Sequence, residues 1–427
     1  MQNSLALNPT LALVILLAVF FLLTLYAATR RIAAILWEKK RAVHWQSRLN
    51  EMGLAGAAES DLSISREIQK RFLPLDMDKD GNKLSFGRRE TEKAVFFGYY
   101  AGADGICGDY FDYQELDDSS YAIIKCDVAG KGIPAALIVI EVATMFLNYF
   151  KQWKPLSGEM NMEKLVYQIN SFIETLGYTG RFAAFTLCIF DSETGDLRFC
   201  NAGDNIIHIV DSSGRCIKNI TLPQTPAAGV LPNSVVESKG GYRVQTLSLD
   251  HGDILLLYTD GIEESKRKFR DSSFNEIACT GNSDGTPHDG HLVGECSEEM
   301  GQQRVCEIIN AVMNRSGYCL HKWHSGEMEQ DMHFDFSGCE GGVDDLIMAL
   351  VAVERMFRCY HDNGAARDEW VLVEKKVDAF LKKHFLQYEK YCVETCACPG
   401  NDLYIYYTHL REDQQYDDLT ILGVKRK

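Results

Sequence analysis

The stretch KCDVAGKGIPAAL (residues 125–137) sets one aspartate behind a run of apolar residues, then turns on glycine, lysine and glycine before a proline. A phosphate-cradling Walker loop needs GxxxxGK followed by Ser or Thr. Here Lys131 stands between Gly130 and Gly132 with Ile133 next, so a nucleotide loop is excluded. What remains is a buried strand that delivers Asp127 to its exposed end, where a carboxylate needs a partner. Pro134 suits the first turn of a helix, and Pro134 to Phe150 is nearly all apolar.

The same arrangement recurs along the chain. Asp109 sits in CGDYFDY, Asp260 ends ILLLYTDG, and Asp417 and Asp418 begin DDLTILGV. Asp112, Asp118 and Asp253 read as turn or cap residues. Acids at four strand ends, each beside glycine or another acid and none near a histidine, point to an all-oxygen site for magnesium or manganese. The intervening runs KAVFFGYY, SYAIIKCDV, RFAAFTLCIF, DLRFCNAG, IIHIVD, RVQTLSL and DILLLYTDG are short and β-type, with polar, glycine-bearing turns. A second helix carries the stripe Leu165, Ile169, Phe172 and Leu176. Strands with helices segregated to their faces predict a layered α+β fold.

In order, GDYFD (108–112), DVAGKGIPAAL (127–137), RFAAFTLCIFDSETGDLRFCNAGDN (181–205), TPAAGVLP (225–232), GDILLLYTDGIEES (252–265) and DDLTIL (417–422) resemble the SpoIIE-type branch of the PPM metal-dependent serine/threonine phosphatases. The resemblance covers about residues 85 to 265 and the final dozen. It implies an αββα sandwich with two divalent cations, Mn²⁺ or Mg²⁺, in the cleft between sheets. By motif position Asp127 bridges both metals and the Val128 carbonyl binds the second, while Asp260 and Asp417 complete the first. Asp109 holds the second metal directly or through its waters, and Asp418 is the alternative to Asp417. The implied reaction is hydrolysis of a phosphoserine or phosphothreonine on a protein partner by metal-activated water. The implied partner is a phosphorylated regulator of the anti-anti-sigma type. The competing reading is a catalytically degenerate, membrane-tethered scaffold that binds a phosphoprotein. A homodimer is compatible with either.

With 427 residues and a formal net charge of -16, the chain has room for a large core and no electrostatic drive toward nucleic acid. Its 14 cysteines form no secreted framework, and Cys392, Cys396 and Cys398 lack the second pair of a zinc site, so a reducing compartment is expected. Leu11 to Ala28 is an apolar run broken only by Thr24. Arg30, Arg31, Lys39, Lys40, Arg41 and Arg48 follow it. This reads as a signal anchor at 1–29, with one pass through the inner membrane and a cytoplasmic remainder. A basic and helical linker at 30–75 follows, with Ile64, Ile68 and Phe72 on one face. The phosphatase-like domain then spans 85–427, with a long insertion at about 268–410 and helices expected near 299–315, 343–359 and 368–391.

Several motifs read as decoys. DMDKDGNKLSFG (76–87) imitates a calcium loop but has Gly87 at the twelfth position, where a bidentate acid is required. Asp344 and Asp345 mimic the closing acid pair, yet the residues after them repeat at helical spacing. His321, His324 and His333 read as separate surface or packing residues, and Arg88 and Arg89 as solvated charge.

Overall fold

A computed structural model describes residues 57–103, 106–152, 161–177, 180–271, 275–278, 291–292, 296–324, 327–361, 371–397, 403–408 and 410–427. The expected anchor at 1–29 and the basic segment after it lie outside these residues. Residues 57–64 are helical, at the start of the helix Ala57–Arg71.

From Ser65 onward the chain builds two antiparallel sheets. One contains β1 (Phe86–Glu90), β2 (Ala94–Ala101), β7 (Ile206–Asp211), β8 (Cys216–Thr221), β10 (Ile254–Tyr258) and β21 (Leu419–Arg426), in the order β1-β2-β21-β10-β7-β8. The other contains β3 (Asp109–Glu115), β4 (Ser120–Val128), β5 (Ala183–Asp191), β6 (Asp196–Ala202) and β9 (Gln245–Ser248), in that order. Period-two alternation explains how the central strands serve two cores. On β2 the residues Phe96 and Tyr100 enter the core between the sheets, whereas Val95, Phe97 and Tyr99 face the opposite way. Leu255 and Leu257 of β10, and Leu422 and Val424 of β21, follow the inward pattern. Across the sheets, the Phe96 ring stacks on Tyr113 at 4.4 Å and meets Tyr121 at 4.9 Å.

Each sheet is covered by helices on its outer face. Helix Ile133–Gln152 packs on β3 and β4, and helix Met162–Leu176 on β6. The second is capped at both ends: the Asn161 side chain accepts from Lys164 N at 2.8 Å, and Gly177 takes the left-handed conformation that ends the helix. Among the described residues Ile133–Lys151 is the one segment long and apolar enough to cross a bilayer. Here Ala135, Ile138, Val139, Val142, Ala143, Phe146 and Phe150 form its buried stripe. On the other side, helix Gly301–Met313 packs on β8, and helix Val343–Arg358 on β2 and β21. The architecture is therefore the α, β, β, α sandwich that the motifs imply.

Among the described residues, the segment 268–410 contains the helices that pack on the outer face of the six-stranded sheet. Around that layer lie small sheets: β11 (Lys266–Lys268), β12 (His291–Leu292) and β13 (Ser297–Glu299); the hairpin β14 (Gly317–His324) and β15 (Glu327–Asp335); β16 (Cys359–His361) with β20 (Leu410–Glu412); and β17 (Val371–Glu374), β18 (Cys392–Ala397) and β19 (Leu403–Thr408). The single helix expected over 368–391 is broken. Val371–Glu374 is a strand paired with β19, and helix Lys375–His384 stops where Phe385 turns extended and stacks on Phe334 at 4.9 Å. The β-branched, aromatic-partnered ends override a helical spacing that holds only in the middle.

The decoys resolve as structure. Asp78 accepts from Asp80 N, Asn82 N and Asn82 Nδ2, which makes a turn. Asp345 caps the helix Val343–Arg358 by accepting from Glu340 N and Gly341 N, and Asp344 pairs with Arg88 at 3.2 Å. Arg89 pairs with Glu115. The side chains of Cys392, Cys396 and Cys398 lie outside the described residues.

Candidate metal centre

The register of the five-stranded sheet sets Asp109 of β3 directly opposite Asp127 of β4, so both carboxylates leave the same face of neighbouring strands. At the same end of the molecule the six-stranded sheet contributes two more segments. Thr259 and the single turn Asp260–Ile262 follow β10, and Asp417 and Asp418 precede β21. Gly261 permits the meeting: a Cβ there would stand 1.8 Å from the Asp418 carbonyl oxygen.

Hydrogen bonds lock these segments together across the two sheets. Thr259 Oγ1 donates to Asp109 Oδ2 at 2.7 Å. Asp418 accepts from Ala103 N on one oxygen and Gly108 N on the other, both at 2.8 Å, which ties the loop before β3 to the start of β21. Both carboxylate oxygens of Asp418 are thus engaged by backbone. Asp417 is more open, and its Oδ1 lies 3.3 Å from Lys131 Nζ and accepts from Asp418 N. The Val128 carbonyl faces the backbone of Gly108, where a Cβ would come within 2.7 Å.

The electrostatics match a crowded anionic site. Burial pushes the Asp109 carboxyl well above the usual carboxylate range, and the neighbouring Asp127 and Asp418 add to it. Asp127 is pushed up to about 7 by burial and then by Asp260, against the lowering pull of Lys125. Asp260 is raised by burial and by Asp417. Divalent cations would remove this mutual repulsion, and the donors are all oxygen, as magnesium and manganese prefer. No three of these carboxylates bring oxygens within 4.8 Å of one another among the described residues.

The three milder acids stand apart from the group. Asp112 is buried beneath Tyr110 OH, Tyr113 N and Gln114 Nε2, with its carboxyl pushed up to about 6. Asp253 receives Ser212 N and Oγ. Asp118 is exposed in the turn between β3 and β4. Sequence reading had missed the cations around the centre. Lys125 Nζ bonds Asp204 Oδ2 at 2.8 Å and the Tyr258 carbonyl at 3.0 Å. Arg181 Nη1 donates to the Ala129 carbonyl at 2.8 Å and fills the space a Cβ on Gly130 would need. Lys131 also reaches the Tyr416 carbonyl. The sequence signal for them was there, in the lysine between two glycines and in the arginine that opens RFAAFTLCIF.

Residues 117–304 match the family model for stage II sporulation protein E (SpoIIE). The chain is 25% identical over 240 residues to protein IcfG of Synechocystis sp., covering 49% of this chain and 34% of that protein. It is 25% identical over 202 residues to the phosphoserine phosphatase RsbP of Bacillus subtilis, covering 47% of this chain and 45% of that one. The chain thus spans between a third and a half of the length of these relatives. Among solved structures, the SiaA-PP2C domain of Pseudomonas aeruginosa overlaps 89% of this chain and 98% of its own, at 14% identity and a TM-score of 0.46. The matched stretch runs from the turn before β4 through Asp127 and Asp260, and over it the chain is similar to the SpoIIE family.

Proposed function

We propose that the chain is a metal-dependent phosphatase that hydrolyses phosphoserine or phosphothreonine on a protein partner. The observation that carries this reading is the arrival of Asp109, Asp127, Asp260 and Asp417 at one end of the two sheets, with three of the four carboxyls raised by burial and by neighbouring acids. Asp127, Asp109, Asp260, Asp417 and the Val128 carbonyl would hold the two cations. When bound, these would supply a water acidified toward neutral pH and neutralise the phosphoryl oxygens. Asp418, with both oxygens taken by backbone N–H groups, acts as the clamp that holds Ala103 and Gly108 against the start of β21, and Thr259 orients Asp109. Lys131 and Arg181 flank the turn at 129–132 and offer positive charge to an incoming phosphate.

The partner fits the class that the resemblance implies, a phosphorylated regulator of the anti-anti-sigma type. RsbP, a named phosphoserine phosphatase, supports the phosphoserine half of the assignment. Leu11–Ala28 would anchor the chain in the inner membrane, with the catalytic domain in the cytoplasm. Recovery of the full chain in a salt-washed soluble fraction would reject that anchor.

The deciding experiment measures manganese-dependent hydrolysis of p-nitrophenyl phosphate and of a phosphoserine peptide by the wild type and by Asp260→Asn. Turnover by the wild type and its loss in the variant is the expected result. Equal rates reject the assignment, and peptide binding without turnover by the wild type makes the chain a phosphoprotein-binding scaffold instead.

A further inference from the structure

The hairpin β14–β15 carries a second constellation of a different chemical kind. Leu320, Met332 and Phe334 point inward and are buried, so alternation sends Cys319, His321, Asp331 and His333 to the opposite face. The register sets Cys319 directly across from His333 and Leu320 across from Met332, then shifts between Leu320 and Lys322. His321 stands next in that register, at the irregularity and beside Asp331, with Nδ1 3.0 Å from Asp331 Oδ1. Cys319 Sγ lies 4.0 Å from the same nitrogen. Among the described residues this is the one place where three Cys, His, Asp or Glu side chains bring ligand atoms within 4.8 Å of one another.

We infer that the outward face of this hairpin is a binding site for zinc or a chemically similar transition-metal ion, ligated by Cys319, His321 and Asp331 with His333 as the fourth ligand. The donor set is one sulfur, two imidazoles and one carboxylate, which suits borderline-soft, four-coordinate zinc and not the hard cations of the aspartate centre. Directly opposed residues of an antiparallel pair have Cβ atoms about 5 Å apart, so a side-chain rotation brings the exposed His333 ring to the metal. The backbone beneath is braced. Gln387 accepts from His333 N at 3.1 Å and donates to the Asp331 carbonyl at 3.1 Å, which fixes the spacing of two ligands on β15. The cysteine, the two histidines and the aspartate converge through strand pairing, and this explains why the histidines look unrelated in the sequence.

The site borders the proposed catalytic face. Cys319 and His321 line a cavity of about 780 Å³ whose wall also includes Asp260, Glu263 and Glu264. A metal here would pin the hairpin, and with it the wall that a phosphoprotein meets on its way to Asp260. The metal assignment itself does not depend on phosphatase activity.

Cobalt(II) provides the probe, since a cobalt–thiolate bond has a near-ultraviolet charge-transfer band that an all-oxygen site cannot produce. Full-length protein is stripped with chelator, supplied with excess magnesium and titrated with cobalt. The expected result is a charge-transfer band with tetrahedral visible bands, saturating at one equivalent and erased by zinc. Cys319→Ser should lose the band, and His321→Gln should weaken cobalt binding by about tenfold or more. Asp127→Asn should keep it. No band in the wild type, or a band undiminished in Cys319→Ser, overturns the inference. Should Cys319→Ser fail to fold by circular dichroism, His321→Gln, changed at an exposed side chain, decides the matter, and unaltered cobalt affinity there overturns the site as well.

Discussion

The aspartate centre and the hairpin cluster gather ligands in opposite ways. The first draws carboxylates from positions 109, 127, 260 and 417, and needs both sheets, two crossing hydrogen bonds and a glycine with no room for a side chain to bring them together. The second takes all its ligands from two strands that pair directly with one another. A site built from distant segments reports on the whole fold, whereas one built within a hairpin depends on local register. The two should therefore respond independently to substitution, and each prediction below tests that independence.

The largest effect is expected at Asp127. Asp127→Asn should lower manganese-dependent turnover by about 10²–10³-fold, the range seen when one preorganised electrostatic group is removed from an active site. The same change should raise the melting temperature of metal-free protein, because it removes a buried charge that crowds Asp109 and Asp260. Cobalt binding at the hairpin should not move. A variant that loses both metals together would show that the two regions are one cooperative unit.

Next comes Gly261→Ala. Its Cβ would overlap the Asp418 carbonyl, and backbone against backbone cannot be relieved by a rotamer change, so a loss of roughly 3 kcal/mol or more is expected in urea unfolding. Gly132→Ala is the control. Gly132 also has a positive φ, at 74°, but nothing lies within 4 Å of its missing Cβ, so only conformational strain of about 1–2 kcal/mol should appear. Equal losses would mean that the close approach of β10 and β21 is not what holds the acids in place.

Smaller again is Thr259→Val, which keeps volume and removes the donor to Asp109. Loss of a group that orients a metal ligand typically costs about 10–100-fold in metal affinity. Isothermal titration with manganese should register that loss while the cobalt titration stays unchanged.

These contrasts also explain what could be read from the sequence. Strand-end acids next to glycines are visible because burial forces apolar runs and turns force glycines, so β4, β10 and β21 and their aspartates could be marked residue by residue. The roles within the closing pair were less visible. Asp417 and Asp418 are alike as letters, and only the backbone donors at 103 and 108 distinguish a clamp from an open carboxylate. Edge strand Cys216–Thr221 escaped notice because CIKNIT is half exposed and lacks a clean alternation. The helices within 268–410 show clear apolar stripes, but their destination was not legible, because the helix Val343–Arg358 packs on β2, more than 200 positions earlier, and on β21, about 60 positions later. The hairpin histidines were passed over for the same reason: spacing within one strand shows Cys319 and His321 sharing a face, but Asp331 and His333 join them only through a register that the sequence does not print.

The last and mildest prediction concerns acid. His208 on β7 is buried, stacked on Tyr258 at 4.4 Å and bonded through Nδ1 to Asn219 Oδ1 at 2.8 Å. Burial lowers its pKa to about 4, against about 6.5 in an unfolded chain. The unfolded state therefore binds the proton first as pH falls, so stability is full above about 6.5 and declines between 6.5 and 4. By pH 5 the loss from this group should approach 2 kcal/mol. His208→Asn retains a donor toward Asn219 and cannot titrate, so its urea midpoint should start lower at pH 8, where the ring stacking is lost, and then fall less steeply toward pH 5. Since β7 pairs with the β10 strand that delivers Asp260, the frame of the aspartate centre should carry this acid sensitivity. Parallel pH slopes for the two proteins would place the sensitivity elsewhere and break the link between this strand pair and the site it supports.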